Sequence, residues 1–170
     1  SLVDEKLTNL LVLNSMSKIF RVPGLRIGFA VAKKEVIERF YRYYLPWSVN
    51  ALAQEAVKFL MERREETDRF IQQSRAFLET ERNAFRKAME KCDAIRVYES
   101  QTSFLLAKLA RIDSADAFEQ MARNHFLIRD CRNFTGLSEY YVRISLKTED
   151  ANRRAARKLL AIAETGRRVC

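Results

Sequence analysis

The sequence predicts an α/β tail of a larger domain followed by a small, complete α+β domain whose helices lie on a mostly antiparallel sheet. Three observations carry this. Two short apolar runs, Leu10–Leu13 and Ile27–Ala32, flank an irregular polar loop, which reads as strand, loop, strand. A long stretch from Thr67 to Cys92 places apolar residues at spacings of three, four and seven, the period of a helix buried on one side. Beyond Ile95, short alternating runs and helical stretches succeed one another without a repeat or a low-complexity linker.

Taken in order, residues 8–14 form the first strand and residues near 26–32 the second. Lys34–Tyr44 is helical, with Val36, Ile37, Phe40 and Tyr44 on one face, and Pro46 ends it. Leu45–Asn50 is a loop, and Ala51 to about Arg63 is a helix with Leu52, Ala56, Phe59 and Leu60 facing inward. The Thr67–Cys92 stripe runs Phe70, Ile71, Phe77, Leu78, Ala84, Phe85, Ala88, Met89 and Cys92, with Glu81 interrupting it midway. Packing against a sheet explains it better than a coiled coil, because so few heptads make no seam. Strands are predicted at Ile95–Glu99, Ser103–Leu109, Leu127–Arg129 and Tyr140–Leu146, and helices at Ser114–Asn124, capped by Ser114, and Glu149–Glu164. Two strands and two helices in the first sixty residues are too few for an α/β sheet, which is why this part reads as a tail.

Composition excludes several classes. Hydrophobic residues make up 48% of the 170-residue chain and charged residues 31%, an ordinary globular balance. Charges interrupt every apolar run before it reaches a membrane span, and Ser-Leu-Val-Asp-Glu-Lys at the N-terminus is not a signal peptide. Cys92, Cys131 and Cys170 give an odd count with no Cys-x-x-Cys, which argues against a disulfide framework or a metal site and for a reducing, cytoplasmic setting. Without a secretory signal, the sequon Asn133-Phe-Thr135 carries no weight. The net charge of +9 raises nucleic acid as a partner, but bases and acids interleave, as in Glu62-Arg-Arg-Glu-Glu66 and Glu79-Thr-Glu-Arg82. Only the C-terminal end, with Arg153-Arg154, Arg157-Lys158 and Arg167-Arg168, is locally basic. Solvated helix faces look like this, whereas a nucleic-acid binder concentrates its charge in a stripe. His125 falls at a helix end and reads as structural.

The chemistry lies in Ser15-Met-Ser-Lys-Ile-Phe-Arg-Val-Pro-Gly-Leu-Arg-Ile-Gly28. Two hydroxyls, Ser15 and Ser17, stand beside Lys18, with Arg26 eight positions later. A lysine amine can form a Schiff base with an aldehyde. Hydroxyls with a guanidinium make a clamp for a dianionic phosphate. A P-loop is excluded by order, since there the glycines precede the lysine. An aldehyde and a phosphate in one small molecule describe pyridoxal 5'-phosphate.

The motif resembles the cofactor-lysine loop of the class I/II aminotransferase family of pyridoxal-phosphate enzymes. That pattern has a Ser/Thr three before the lysine, often a hydroxyl one before it, and Gly-x-Arg-x-Gly after it; here these are Ser15, Ser17, Lys18, Gly24, Arg26 and Gly28. Leu45-Pro-Trp-Ser-Val-Asn-Ala-Leu-Ala-Gln54 is similar to a stretch of the histidinol-phosphate aminotransferase and threonine-phosphate decarboxylase branch. So are Ile128-Arg-Asp-Cys-Arg-Asn-Phe-Thr-Gly-Leu137 and Val142-Arg-Ile144. The resemblance implies that residues 1–65 are the end of a large PLP-transferase domain and 66–170 the small C-terminal domain. It also implies Lys18 as catalytic residue, with Ser15, Ser17 and Arg26 on the cofactor phosphate. Arg129 and Arg143 would hold a carboxylate or phosphate of an amino acid or amino-phosphate substrate; read without the family, they are equally well ordinary sheet-edge arginines.

Family members run about twice this length, so the resemblance makes this a C-terminal portion, inactive in isolation. Val3-Asp-Glu5 is rejected as the strand that contacts the ring nitrogen, because Asp4 stands too near Lys18. The resemblance further implies a homodimer with shared active sites, in which Trp47 and Tyr41, Tyr43 and Tyr44 suit a subunit interface. It tilts toward threonine-phosphate decarboxylation over histidinol-phosphate aminotransfer. A non-catalytic binding module built on the small domain is the rival from another class. Neither that module nor a nucleic-acid binder explains the residues around Lys18.

Overall fold

Two short apolar runs, Leu11–Ser15 (β1) and Gly28–Ala32 (β2), pair antiparallel, with Leu11 opposite Ala32 and Ser15 opposite Gly28. This is a computed structural model of the chain, and it describes residues 9–90 and 92–166. Asp4, Thr8, Lys91, Arg167-Arg168 and Cys170 lie outside the described residues. The chain forms two compact units, Ser1–Ser74 and Arg75–Cys170.

In the first unit β1 runs into a single helical turn, Met16–Ile19 (α1), then a 3-10 turn at Pro23–Leu25, then β2. Lys34–Tyr41 (α2) and Ala51–Glu62 (α3) follow. Asn50 begins α3 by accepting a hydrogen bond from the Ala53 amide on its side-chain oxygen, the usual work of an N-cap. Arg64–Met89 (α4) starts three residues earlier than the sequence predicts. Thr67 lies inside its first turns and donates its hydroxyl to the Leu60 carbonyl at 2.9 Å, binding α3 to α4. Among the described residues of this unit only Met16, Ser17 and Ala53 are buried. Leu13, Tyr43, Leu45, Trp47 and Leu52 stand exposed, more apolar surface than a self-sufficient unit leaves uncovered.

In the second unit Ile95–Val97 (β3), Phe104–Leu109 (β4), Arg129–Asp130 (β5) and Tyr141–Ser145 (β6) make one antiparallel sheet in the order β3-β4-β6-β5. Strict alternation along β4 and β6 sends Leu105, Ala107, Leu109, Val142 and Ile144 to one face. There they join Phe85 and Met89 of α4, Met121 of Ser114–Arg123 (α5) and Leu159 of Glu149–Thr165 (α6) in one core. The helices therefore cover a single face of the sheet.

Several expectations need correction: α2 ends at Tyr41 rather than Tyr44, and Leu52 and Phe59 of α3, expected to face inward, are exposed. Asp113, not Ser114, caps α5: its carboxylate accepts from the Ala115 and Asp116 amides, while Ser114 is the first helical residue and fully buried. The third strand of the sheet is Arg129–Asp130 rather than Leu127–Arg129, and Leu127 is exposed. Glu81 does not break the buried stripe of α4. It is itself buried, and accepts a 2.6 Å hydrogen bond from the Asn152 amide of α6. Asn152 also accepts from the Lys147 amide at 2.7 Å, so one side chain fixes the start of α6 and neutralises the cost of the buried carboxylate.

Gly166 ends α6 with φ +56°, the left-handed conformation that lets a helix stop. A Cβ there would come within 3.1 Å of Arg111.

Candidate functional site

The first cluster is the strand–loop–strand of the first unit. The loop is closed at its base by a hydrogen bond from the Met16 amide to the Ile27 carbonyl at 3.2 Å, and inside by Val22 N to Ser17 O at 3.1 Å. Pro23 opens the 3-10 turn, where its missing N–H costs nothing. Arg26 follows it with φ 51° and ψ 53°, a conformation a non-glycine residue adopts only under constraint. Gly28 shows the constraint from the other side: a Cβ there would meet the Asn14 carbonyl oxygen at 2.5 Å, so only glycine lets the strands approach where the loop re-enters β2.

Ser15 ends β1 and is exposed; Ser17 is 3% exposed; Lys18 and Arg26 are exposed. None of the four side chains makes a hydrogen bond or ion pair among the described residues, although elsewhere in the chain lysines and arginines do pair, as Lys34 does with Glu38. Two hydroxyls, an amine and a guanidinium on one anchored loop, with no partner among the described residues, are the donor set a phosphate-bearing aldehyde requires. The residues present therefore fit the cofactor that the sequence motif implies.

One residue of this unit carries more than the sequence reading gave it. The Asn50 side-chain amide donates to the Leu25 carbonyl at 3.1 Å while its oxygen caps α3. Asn50 thus ties the turn before Arg26 to a helix. The only signal in the sequence is its N-cap position.

The second cluster lies in the second unit. Arg129 of β5 stands directly opposite Arg143 of β6. Like charges facing each other across two strands repel. Each is propped from its own side instead: the Arg129 guanidinium donates to Asn133 Oδ1 at 3.1 Å and lies over the Phe134 ring, and Arg143 lies 4.9 Å from the Phe104 ring centre. Arg143 Nε is buried without a hydrogen-bond partner among the described residues. A buried N–H left unpaired costs about 1–3 kcal/mol. A bound oxyanion would satisfy that donor and relieve the repulsion together.

The connection from β5 to β6 holds Arg129 in register. Ser114 Oγ donates to Asp130 Oδ1 at 2.6 Å, the Arg132 amide donates to the same oxygen at 3.0 Å, and the Arg132 guanidinium pairs with Oδ2 at 2.6 Å. Burial pushes the Asp130 carboxyl upward, but these three donors outweigh it and hold it below the ordinary aspartate value. Because the folded value is depressed, the stabilisation is present above the ordinary aspartate value and is lost as pH falls through the lowered one. Asp130→Asn is expected to cost about 1 kcal/mol at neutral pH. In denaturant titrations that difference shrinks toward zero as the pH is taken below the normal carboxylate range. Burial pushes the neighbouring Cys131 thiol up against the pull of Arg143 and Arg129, so it is not a ready nucleophile.

Sequence reasoning named Arg129 and Arg143 and missed the residues that aim them, Asn133, Phe134 and Phe104. Of the six residues named beforehand, Ser15, Ser17, Lys18 and Arg26 fall in the first unit, and Arg129 and Arg143 in the second.

The sequence profile of the family described as aminotransferase class I and II matches residues 1–159. A histidinol-phosphate aminotransferase of Methanosphaera stadtmanae is 30% identical over 162 residues, which is 94% of this chain and 43% of that protein. A threonine-phosphate decarboxylase of Salmonella typhimurium is 31% identical over 144 residues, 84% of this chain and 38% of that protein. Among solved structures, an L-threonine-O-3-phosphate decarboxylase from Porphyromonas gingivalis superposes with a TM-score of 0.82 at 33% identity, covering 94% of this chain and 48% of that one. The chain spans less than half the length of these relatives.

Proposed function

This chain belongs to the aminotransferase class I and II family, whose cofactor is pyridoxal 5'-phosphate, and we propose that it forms the C-terminal portion of an enzyme acting on an amino acid or an amino-phosphate. The observation that carries the reading is the set of four side chains, Ser15, Ser17, Lys18 and Arg26, that have no partner among the described residues and share one anchored loop. Ser15, Ser17 and Arg26 would hold the cofactor's phosphate and Lys18 its aldehyde end, and the Lys18 amine, once freed from it, would move the proton at the substrate's α-carbon. When bound, pyridoxal phosphate supplies the electron sink for that carbon. Arg129 and Arg143 grip the substrate's anionic end and so orient the bond to be broken.

Residues 1–65 are assigned to the large domain and 66–170 to the small one. The upstream half contributes the rest of the cofactor pocket, so the 170-residue chain alone is expected to be inactive. The exposed aromatics Tyr41, Tyr43, Tyr44 and Trp47 suit a homodimer interface. No helix among the described residues is long and apolar enough to cross a membrane, and a cytoplasmic setting is proposed.

Decarboxylation of threonine phosphate is the first reading, supported by the Porphyromonas likeness; aminotransfer from histidinol phosphate is the second, supported by the Methanosphaera relative. The complete enzyme decides between them. Release of carbon dioxide from L-threonine O-3-phosphate without a 2-oxo acid supports the first. Amino transfer from histidinol phosphate, dependent on a 2-oxo acid, supports the second. Arg143→Gln in the active assay is expected to raise KM for the anionic substrate about 10- to 100-fold, the loss of a charge-assisted hydrogen bond. An unchanged KM would remove Arg143 from the substrate site.

A further inference from the structure

The Arg26 guanidinium can serve a phosphate only while its backbone keeps one conformation. That conformation is left-handed, φ 51° and ψ 53°, which residues other than glycine resist. Something must hold it. On either side of Arg26 the chain is pinned: the Leu25 amide donates to the Val22 carbonyl at 3.2 Å, and the Ile27 carbonyl accepts from the Met16 amide at 3.2 Å. The peptide unit between these pins, from the Leu25 carbonyl to the Arg26 amide, makes no backbone hydrogen bond among the described residues. Left to itself, that planar unit can turn about the two bonds that flank it. Such a turn changes φ of Arg26 while both pins stay in place.

Asn50 supplies the hold. Its side-chain amide donates to the Leu25 carbonyl at 3.1 Å, and a planar peptide cannot turn while its carbonyl is fixed. Asn50 is itself fixed by α3. Its side-chain oxygen accepts from the Ala53 amide at 2.9 Å, and its own carbonyl accepts from the Gln54 amide at 3.1 Å. The Gln54 side chain donates to the preceding carbonyl, Val49, at 3.1 Å. The Asn50 side chain therefore has two tasks, and only one of them needs asparagine. Serine or aspartate would cap α3 as well. Neither would also tether Leu25: a carboxylate has no donor, and a serine side chain has a single polar atom, which the cap occupies.

We infer that Asn50 is a positioning residue for the cofactor's phosphate: it locks the Leu25–Arg26 peptide, holds Arg26 left-handed and so keeps the guanidinium available to that group. This role rests on the proposed cofactor reading. It adds to the Lys18 loop a residue that stands outside it in sequence, 25 positions beyond Leu25.

The test uses the complete enzyme freed of cofactor, titrated with pyridoxal 5'-phosphate and, separately, with pyridoxal, which lacks the phosphate. Absorbance of the bound aldehyde reports each affinity. Asn50→Ser keeps the cap and drops the tether. It should weaken pyridoxal 5'-phosphate about five- to tenfold, the loss of one hydrogen bond's hold, and pyridoxal by less than about twofold. The pyridoxal titration is also the fold control, since a damaged pocket loses both aldehydes alike. Arg26→Gln should weaken pyridoxal 5'-phosphate by about tenfold or more, the loss of a charge-assisted contact. In that background Asn50→Ser should add nothing, because a hold that acts through Arg26 has nothing left to position. Three results would overturn the positioning role and leave the cofactor reading standing: equal loss of both aldehydes in Asn50→Ser, unchanged affinity for pyridoxal 5'-phosphate in that variant, or full additivity with Arg26→Gln. Affinity for pyridoxal 5'-phosphate that is indifferent to Arg26→Gln would overturn the phosphate assignment of Arg26 and the role of Asn50 with it.

Discussion

Lys18→Ala in the complete enzyme is expected to lower turnover by about 10³-fold or more, because in the proposed reading its amine would hold the cofactor and, once freed, move the proton at the α-carbon. The same change should leave stability within about 0.5 kcal/mol, since Lys18 is exposed and pairs with nothing among the described residues. Lys33→Ala is the matched control, an exposed lysine just beyond β2 that should leave both quantities unchanged. A Lys18→Ala enzyme that keeps its turnover would favour the non-catalytic binding module instead.

The largest stability effect is expected at Asn152. Its amide is the hydrogen-bond donor to the buried Glu81 carboxylate, and its oxygen receives the Lys147 amide. Asn152→Leu strands that carboxylate and an N–H together, at an expected cost of about 3 kcal/mol. For a unit of this size, that is a drop in Tm of about 12–24 °C. Replacing Glu81 with Met in the Asn152→Leu background should recover most of the loss, since removing both polar partners leaves no unpaired buried charge. Failure of that rescue would mean that Asn152 acts mainly through Lys147 at the start of α6.

What the sequence made legible was local. The strands on either side of Lys18 could be read because short apolar runs bracket a polar stretch that holds Pro23 and Gly24. β4 and β6 could be read because one face is buried and the alternation survives in the residues. The misreadings share a physical cause: the deciding partner was distant or chemically similar. Glu81 looked like a break in an apolar stripe because Asn152, which permits its burial, is 71 residues away. Asp113 and Ser114 are both good caps and adjacent, and the Ala115 and Asp116 amides bonding to Asp113, with Ser114 turned to Asp130, show which one enters the helix. Leu127 drew the third strand too early, since an apolar residue before a two-residue strand carries no alternation to correct it. The props of Arg129 and Arg143 were invisible for the same reason, because Phe104 approaches Arg143 only through sheet pairing.

The central claim, that Lys18 is the residue that holds pyridoxal phosphate, is tested most directly by chemical trapping. The complete enzyme is mixed with the cofactor, reduced with borohydride and digested, and the modified lysine is located by mass spectrometry. The account predicts one phosphopyridoxyl group, on Lys18, and none on the Lys18→Ala protein. A label on Lys33 or Lys34, or one spread over surface lysines and unchanged by Lys18→Ala, would contradict it.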